Sequence, residues 1–450
     1  MSLTGSSELR EAPEAGRGSA DDETNTYEIP PCPDLPYPRE LPHVYRVHQH
    51  LREVNPAAYE PNLIAIGPYH HGKEKTSMME ETKLQYLSSI FRRNDQVSWS
   101  ELISLVAERR TEVIGTYSER VYISSQKFDT MMVVDACFII ELAFRYRDTD
   151  LAGIREPFWF REHDPIFQTD WIIDNVQRDL MVFENQIPFF ILRIIYDEIK
   201  GSEDSTLSDL LLALFPFPEG RYSYKQRTER EPWRIDNLLD LIHGSLEPPQ
   251  NDNLNGNCEN ISSWRLIGSA TDLEEANIQF EKQENSSKSL FDIEFADGIL
   301  RIPTIIIEDQ TESFIRNLMA FELYRSWSDP NFITDYVVFL HCLINSSADA
   351  KLLQSKGIIM NRLGDNEAVA SFLKTITVSI TLPVPSNFRY TEIFQEINRF
   401  QDRKLNRYMA ILRRDYFNSP WTISSFVAAV VLLVITFLST IFTTMQTFKK

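Results

Sequence analysis

The chain lacks most of the patterns that assign chemistry to a sequence. It has no Gly-x-Ser-x-Gly elbow, no Walker loop, no dinucleotide glycine pattern, no zinc-protease motif and no calcium loop. Nothing among these patterns therefore speaks positively for turnover. The four cysteines, Cys32, Cys137, Cys258 and Cys342, are scattered without paired spacing. That excludes a zinc knuckle or a disulfide framework and fits a reducing compartment. The first 26 residues contain no aromatic residue and no apolar segment, so no signal peptide is read there, and Met1-Ser2 excludes myristoylation. Basic residues are also in deficit. The net charge is −20, and residues 1–398 carry −26 once the basic stretch 399–415 and the two terminal lysines are set aside. Such a body repels phosphate backbones, so nucleic acid is excluded as a partner.

What is abundant is apolar length near the last residues. Asn418 to Phe448 runs 31 residues without a formal charge, and then come Lys449 and Lys450. Within it Ile423 to Phe442 reads ISSFVAAVVLLVITFLSTIF, which at ~1.5 Å per residue spans about 30 Å, the thickness of a bilayer's hydrocarbon. Residues 418–450 are thus expected to be a single-pass transmembrane anchor, with Phe417 and Trp421 at the headgroup layer. So few residues come after it that the pattern describes a tail anchor inserted after translation. Arg399, Arg403, Lys404, Arg407, Arg413 and Arg414 precede it, against two lysines after it. The heavier side stays cytosolic, which places the body in the cytosol at the plasma membrane or an endomembrane, and the basic collar suits anionic lipid. Three sequons, at Asn260, Asn285 and Asn345, point the other way, but a chain rich in Asn and Ser yields about that many by accident.

Residues 1–42 read as an acidic disordered tail and a proline-rich connector, with six prolines between Pro30 and Pro42. Residues 43–417 read as a mainly helical body, with a possible internal boundary in the loop-like stretch 216–263, which a helix at Ile235 to His243 interrupts. Ser77 to Glu80 and Ser98 to Glu101 have the spacing of capping boxes, and Asp309 to Glu312 repeats the pattern. Phe128, Met132, Asp135, Ile139 and Leu142 form an apolar stripe. A long pattern runs from Trp171 to Tyr196, which Pro188 should kink or restart. Leu207 to Phe215, Phe332 to Ile344 and Val369 to Ile376 are shorter apolar helices, and Tyr390 to Phe417 is expected as one long helix toward the bilayer. The period changes once: Phe291, Ile293 and Phe295 alternate with polar neighbours, Asp297-Gly298 suits a turn, and Ile299 to Ile307 returns. That predicts a β-hairpin near 290–307, hence a mainly α, formally α+β, fold.

Few residues invite chemistry. His43, His48, His50, His70 and His71 cluster in sequence without any metal-ligand spacing, and Ile66 to Gly72 reads as a tight turn whose rings hydrogen-bond nearby backbone. Asp135 and Glu184 sit on or beside apolar stripes. A hydrolase would use them as general acid and base with His70 or His71. The structural reading pairs each with an Arg, a His or a helix-end donor, because an unpartnered buried charge costs too much. Asn185 and Gln186 before Pro188 would suit the end of a helix, their amides satisfying free carbonyls.

The ordered motifs Tyr45 to Gly72 (with Tyr59, Pro61, Gly67 and Pro68), MMEETK, MMVVDACFIIEL, DLMVFENQIPFF, SATDLEEANIQF, LFDIEFADGILRIP, TESFIRNLMAFE and YFNSPW resemble those of the plant DUF247 family, also called UPF0481. The match covers the chain from about residue 40 onward. It departs at His48, where members usually have Pro, and at Ala136 and Asn277, where Gly is usual. The resemblance implies a single-pass plant membrane protein with a helical body and, for most members, no established activity or cofactor. Some grass members are associated with self-incompatibility, the recognition of self between pollen and stigma. The expectation is a non-enzymatic interaction or signalling module without cofactor, held on lipid and facing an unknown protein partner. The alternatives are a membrane-bound hydrolase using Asp135, Glu184 and one of the two histidines, and a scaffold that forms homo-oligomers through its long last helix.

Overall fold

The computed structural model describes residues 42–151, 164–201, 205–215, 235–248, 265–283, 289–325, 330–378, 387–402 and 420–447. The acidic tail, the proline-rich connector, most of the 216–263 stretch and the collar residues Arg403, Lys404, Arg407, Arg413 and Arg414 lie outside the described residues.

From the N-terminal side come α1 (Gln49–Val54), a 3-10 turn (Pro56–Tyr59), α2 (Met78–Arg93), α3 (Trp99–Gly115) and α4 (Ser125–Leu151). Phe128 to Phe144 on α4 is apolar on nearly every side, so no face of it can be left in water. Helices α2 and α3 pack on it, as do α6 (Phe189–Ile199) and α7 (Leu207–Ala213), which come after α5 (Asp170–Leu180). Helix α5 stops at Leu180, eight residues before the proline expected to break it. Met181 to Pro188 leaves helical geometry because Asn185 and Gln186 turn back onto the end of α5, and Pro188 then caps α6. Helix α8 (Leu238–Leu246) is buried and bridges to the next group of elements.

That group opens with α9 (Ala270–Glu275) and β1 (Gln279–Lys282). The expected hairpin forms from β2 (Glu294–Ala296) and β3 (Ile299–Ile302), antiparallel, across Asp297 at φ 54° and Gly298 at φ 81°. It is shorter than the sequence run. After Pro303 the chain leaves for β4 (Ile305–Ile307), which pairs in parallel with β5 (Ile359–Asn361), while β1 pairs in parallel with β3. Between β4 and β5 lie α10 (Thr311–Leu323), α11 (Phe332–Leu343) and α12 (Ser347–Ser355). Helix α11 has ten of its twelve residues buried and plays the part that α4 plays earlier. Helices α13 (Asn366–Ile376) and α14 (Thr391–Asp402) complete the body. Of the long helix expected over Tyr390 to Phe417, the described part ends at Asp402. Helix α15 (Pro420–Thr447) contains the expected span Ile423 to Phe442.

The three caps expected from sequence do not form. Ser77 donates to Glu74 O, Ser98 meets Ser100, and neither accepts from its helix's free amides. The third helix begins at Thr311 after Gln310, without a side-chain cap. Reciprocal capping boxes occur instead at Ser269 with Asp272 and at Ser346 with Asp349.

Candidate functional site: a buried polar clasp

Most of the residues singled out from sequence meet in one place, where the segment 44–70 crosses the C-terminal end of α5 and the loop after it. Because α5 ends at Leu180, its last carbonyls need donors. Asn185 Nδ2 donates to Asp179 O at 2.9 Å and to Ile64 O at 3.0 Å, and Gln186 Nε2 donates to Leu180 O and Val182 O at 2.8 and 2.9 Å. This is the helix-end role expected for both amides.

The same loop then holds the incoming strand of chain by its backbone. The Asp179 carboxylate accepts from the amides of Asn62, Leu63 and Ile64 at 2.6 to 3.0 Å, while Arg178 Nη1 donates to it at 2.8 Å. Asn185 Oδ1 accepts from Ile66 N at 2.6 Å. Asp135 Oδ2, reaching up from α4, accepts from Gly67 N at 2.8 Å. Almost every amide from 62 to 67 is thus satisfied by a side chain more than sixty residues away. Pro61 and Tyr59 are buried beside it, and Ala58 O accepts from Ser313 and Asn317 of α10. At Gly67, φ is +71° and a Cβ would stand 2.5 Å from Gln186 O, so a glycine is required for both conformation and approach.

Asp135 is neutralised from α2. Lys83 Nζ lies 2.7 Å from Asp135 Oδ1, 2.7 Å from Glu80 Oε1 and 2.5 Å from Ala65 O. Burial works to lower the Lys83 pKa, but Asp135 and Glu80 outweigh it and raise it on balance. Glu184 is surrounded by cations: Arg52 binds Oε1, which also accepts from Val47 N at 2.7 Å, and Arg46 Nη1 stands 3.9 Å from Oε2. His70 Nε2 lies 3.5 Å from the same oxygen, yet neither ring nitrogen of His70 makes a hydrogen bond. At that length the pair is an electrostatic contact. Burial alone would raise Glu184, but His70, Arg52 and the Val47 amide lower it on balance, whereas burial depresses His70 despite Glu184.

The turn at 66–72 forms as expected, but His70 faces a carboxylate where backbone was expected, and His71 is exposed. Of the other histidines, His43 pairs with Asp236 at 3.2 Å and His48 caps α1. No group of three or more His, Cys, Asp or Glu able to hold a metal ion occurs among the described residues. Asp135, Glu184 and His70 are each 1% exposed. Their geometry fits chain-to-chain bonding, with Asp135 on Lys83 and Gly67 and Glu184 on Arg52 and Val47.

Sequence reasoning missed Asp179, Lys83, Arg52 and Asn317. Each looks like an ordinary surface or helix-end residue locally, since its partner is remote. The one local signal was that Asp179 opens the motif DLMVFENQIPFF and Lys83 closes MMEETK.

Helix α15 contains an 18-residue stretch, Ser424–Ile441, with mean hydropathy 2.4 and none of it buried in the protein. By length and composition it can cross a membrane.

No solved structure matches the chain. It is 29% identical over 418 residues to UPF0481 protein At3g47200 of Arabidopsis thaliana, covering 88% of this chain and 84% of that protein. It is 21% identical over 482 aligned positions to putative UPF0481 protein At3g02645 of the same plant, covering 87% and 88%. The family model described as a plant protein of unknown function matches residues 44–435, from the first segment of the clasp into α15, and the chain accordingly belongs to the DUF247 family.

Proposed function

We propose that this protein is a membrane-anchored, non-catalytic interaction module, in which α15 crosses the bilayer and an acidic helical body meets a protein partner in recognition or signalling. The observation that carries the reading is α15: eighteen consecutive apolar or small residues with no burial against the protein have to find another apolar medium. The charge of the body gives the partner's character, a surface rich in Lys and Arg, and the basic residues before α15 favour a cytosolic body. The clasp supports a structural role for Asp135 and Glu184, since both are consumed by fixed partners.

Capture of the full-length chain from native membranes, washed at increasing salt, tests this. One partner that is recovered reproducibly and released by salt is expected. Recovery of background proteins alone overturns the interaction reading.

A further inference from the structure

Nine carboxylates are buried among the described residues, and seven of them have a Lys, Arg or His within ion-pair distance. Asp349 has no such cation but accepts from the amides and hydroxyls of Thr271 and Ser346. Asp335 stands apart. It is 3% exposed, and it accepts one hydrogen bond, from Arg389 N to Oδ2 at 2.8 Å.

We propose that Asp335 is a proton-operated latch on the entry to α14: the neutral carboxyl keeps the segment around Arg389 docked on α11, and ionisation loosens it. This inference goes beyond the interaction reading and does not rest on it.

The surroundings explain why the neutral form suits the closed state. From α10 the nearest charge is the Glu322 carboxylate, which repels a second anion and is itself engaged by Ile333 N, Thr334 and His243. From the α14 side comes Arg389, whose guanidinium lies 3.5 Å from Asp292 and is shared with it. Tyr390, next in the chain to Arg389, turns its hydroxyl away to Phe291 O. Among the described residues no cation is committed to Asp335 alone. Burial, reinforced by Glu322 and opposed by the Arg389 amide and guanidinium, pushes its pKa up to about 7.

What the latch holds matters because of where α14 leads. Beyond Asp402 the chain continues to α15. Helix α14 is seated by Phe394 against Phe339 of α11 and by Phe400 over Gly298, where a Cβ would come within 2.7 Å of the ring. Loosening its first turn therefore alters the join between the hairpin, α11 and the segment that runs toward the membrane helix.

The sign comes from linkage. A carboxyl whose folded pKa is raised contributes stability that is complete below its unfolded value of 3.8 and is lost as pH rises through about 7. If opening lets Asp335 hydrate, the opening constant of this segment rises about ten-fold between about pH 6 and about pH 8.

Hydrogen exchange of the full-length chain in lipid nanodiscs, corrected for intrinsic rates, reads this directly over residues 387–402. An increase of about ten-fold in the wild type that disappears in Asp335→Asn is expected. An opening constant that stays flat or falls with pH overturns the latch, and so does a pH dependence that persists in Asp335→Asn. Should that variant fail to fold, infrared titration of the wild type decides: a protonated aspartic acid band lost between about pH 6 and about pH 8 supports the latch, and its absence at the lower pH overturns it.

Discussion

At Gly67 one added methyl group meets the backbone of the clasp itself. With φ at +71° and a Cβ that would sit 2.5 Å from Gln186 O, Gly67→Ala must move the clasp or strain the turn. A loss of about 2 kcal/mol or more is expected in urea unfolding of the body. An unchanged midpoint would show that the loop after α5 is free to yield. Lys83→Met is expected to cost about 3 to 5 kcal/mol, because it leaves the Asp135 carboxyl, whose pKa burial already raises, buried and without its cation; restoration by Asp135→Asn in the double variant would identify the pair as the cause. At His70, burial lowers the pKa below 6.5, and Glu184 is lowered below 4.5. Both depressed groups contribute stability that is present above their unfolded values and lost as pH falls, the histidine first, in the window below 6.5. Below pH 6.5 the urea midpoint of the wild type should therefore fall relative to that of His70→Gln, carboxyls with raised pKa such as Asp335 being common to both; a difference that stays constant with pH would remove His70 from the account. Two departures from the family pattern have a backbone explanation. His48 has φ −58°, an angle that proline shares, and Asn277 has φ 66°, where the amide side chain substitutes for the usual glycine at the end of α9.

At the scale of elements, the helices with long apolar stripes and the hairpin turn were legible, because periodicity and positive-φ residues are local signals. Caps were not. Ser77 and Ser98 have the right spacing but their hydroxyls turn to Glu74 O and Ser100, while Ser269 and Ser346 cap with an Asp three residues on. Ser269→Ala is accordingly expected to cost about 1 kcal/mol and Ser77→Ala almost nothing, read as paired urea midpoints; equal effects would contradict the assignment. The end of α5 departs from its apolar spacing for a related reason. Apolar spacing continues to Ile187, yet Asn185 and Gln186 gain more by closing the carbonyls of Asp179, Leu180 and Val182 than the helix gains by running on. Asp135, Glu184, Asn185, Gln186 and Gly67 were each conspicuous in sequence, but nothing local said that they meet. That information resides in pairings such as Gly67 with Asp135, which no period can encode.

For the whole molecule, α10 ties the clasp to the helices on its C-terminal side. Asn317 receives Phe183 N and donates to Ala58 O, and Tyr324 just beyond it ties His48 N and Arg46 O. The clasp and the later helices are thereby one hydrogen-bonded body, to which an apolar helix left uncovered by the protein, α15, is appended. Any encounter with a partner at a membrane presumes that lipid covers that helix. The decisive measurement is alkaline carbonate extraction of native membranes followed by ultracentrifugation, with the full-length chain tracked by immunoblot. The account predicts that the chain stays in the membrane pellet and leaves it only with detergent; a chain found intact in the carbonate supernatant would contradict it.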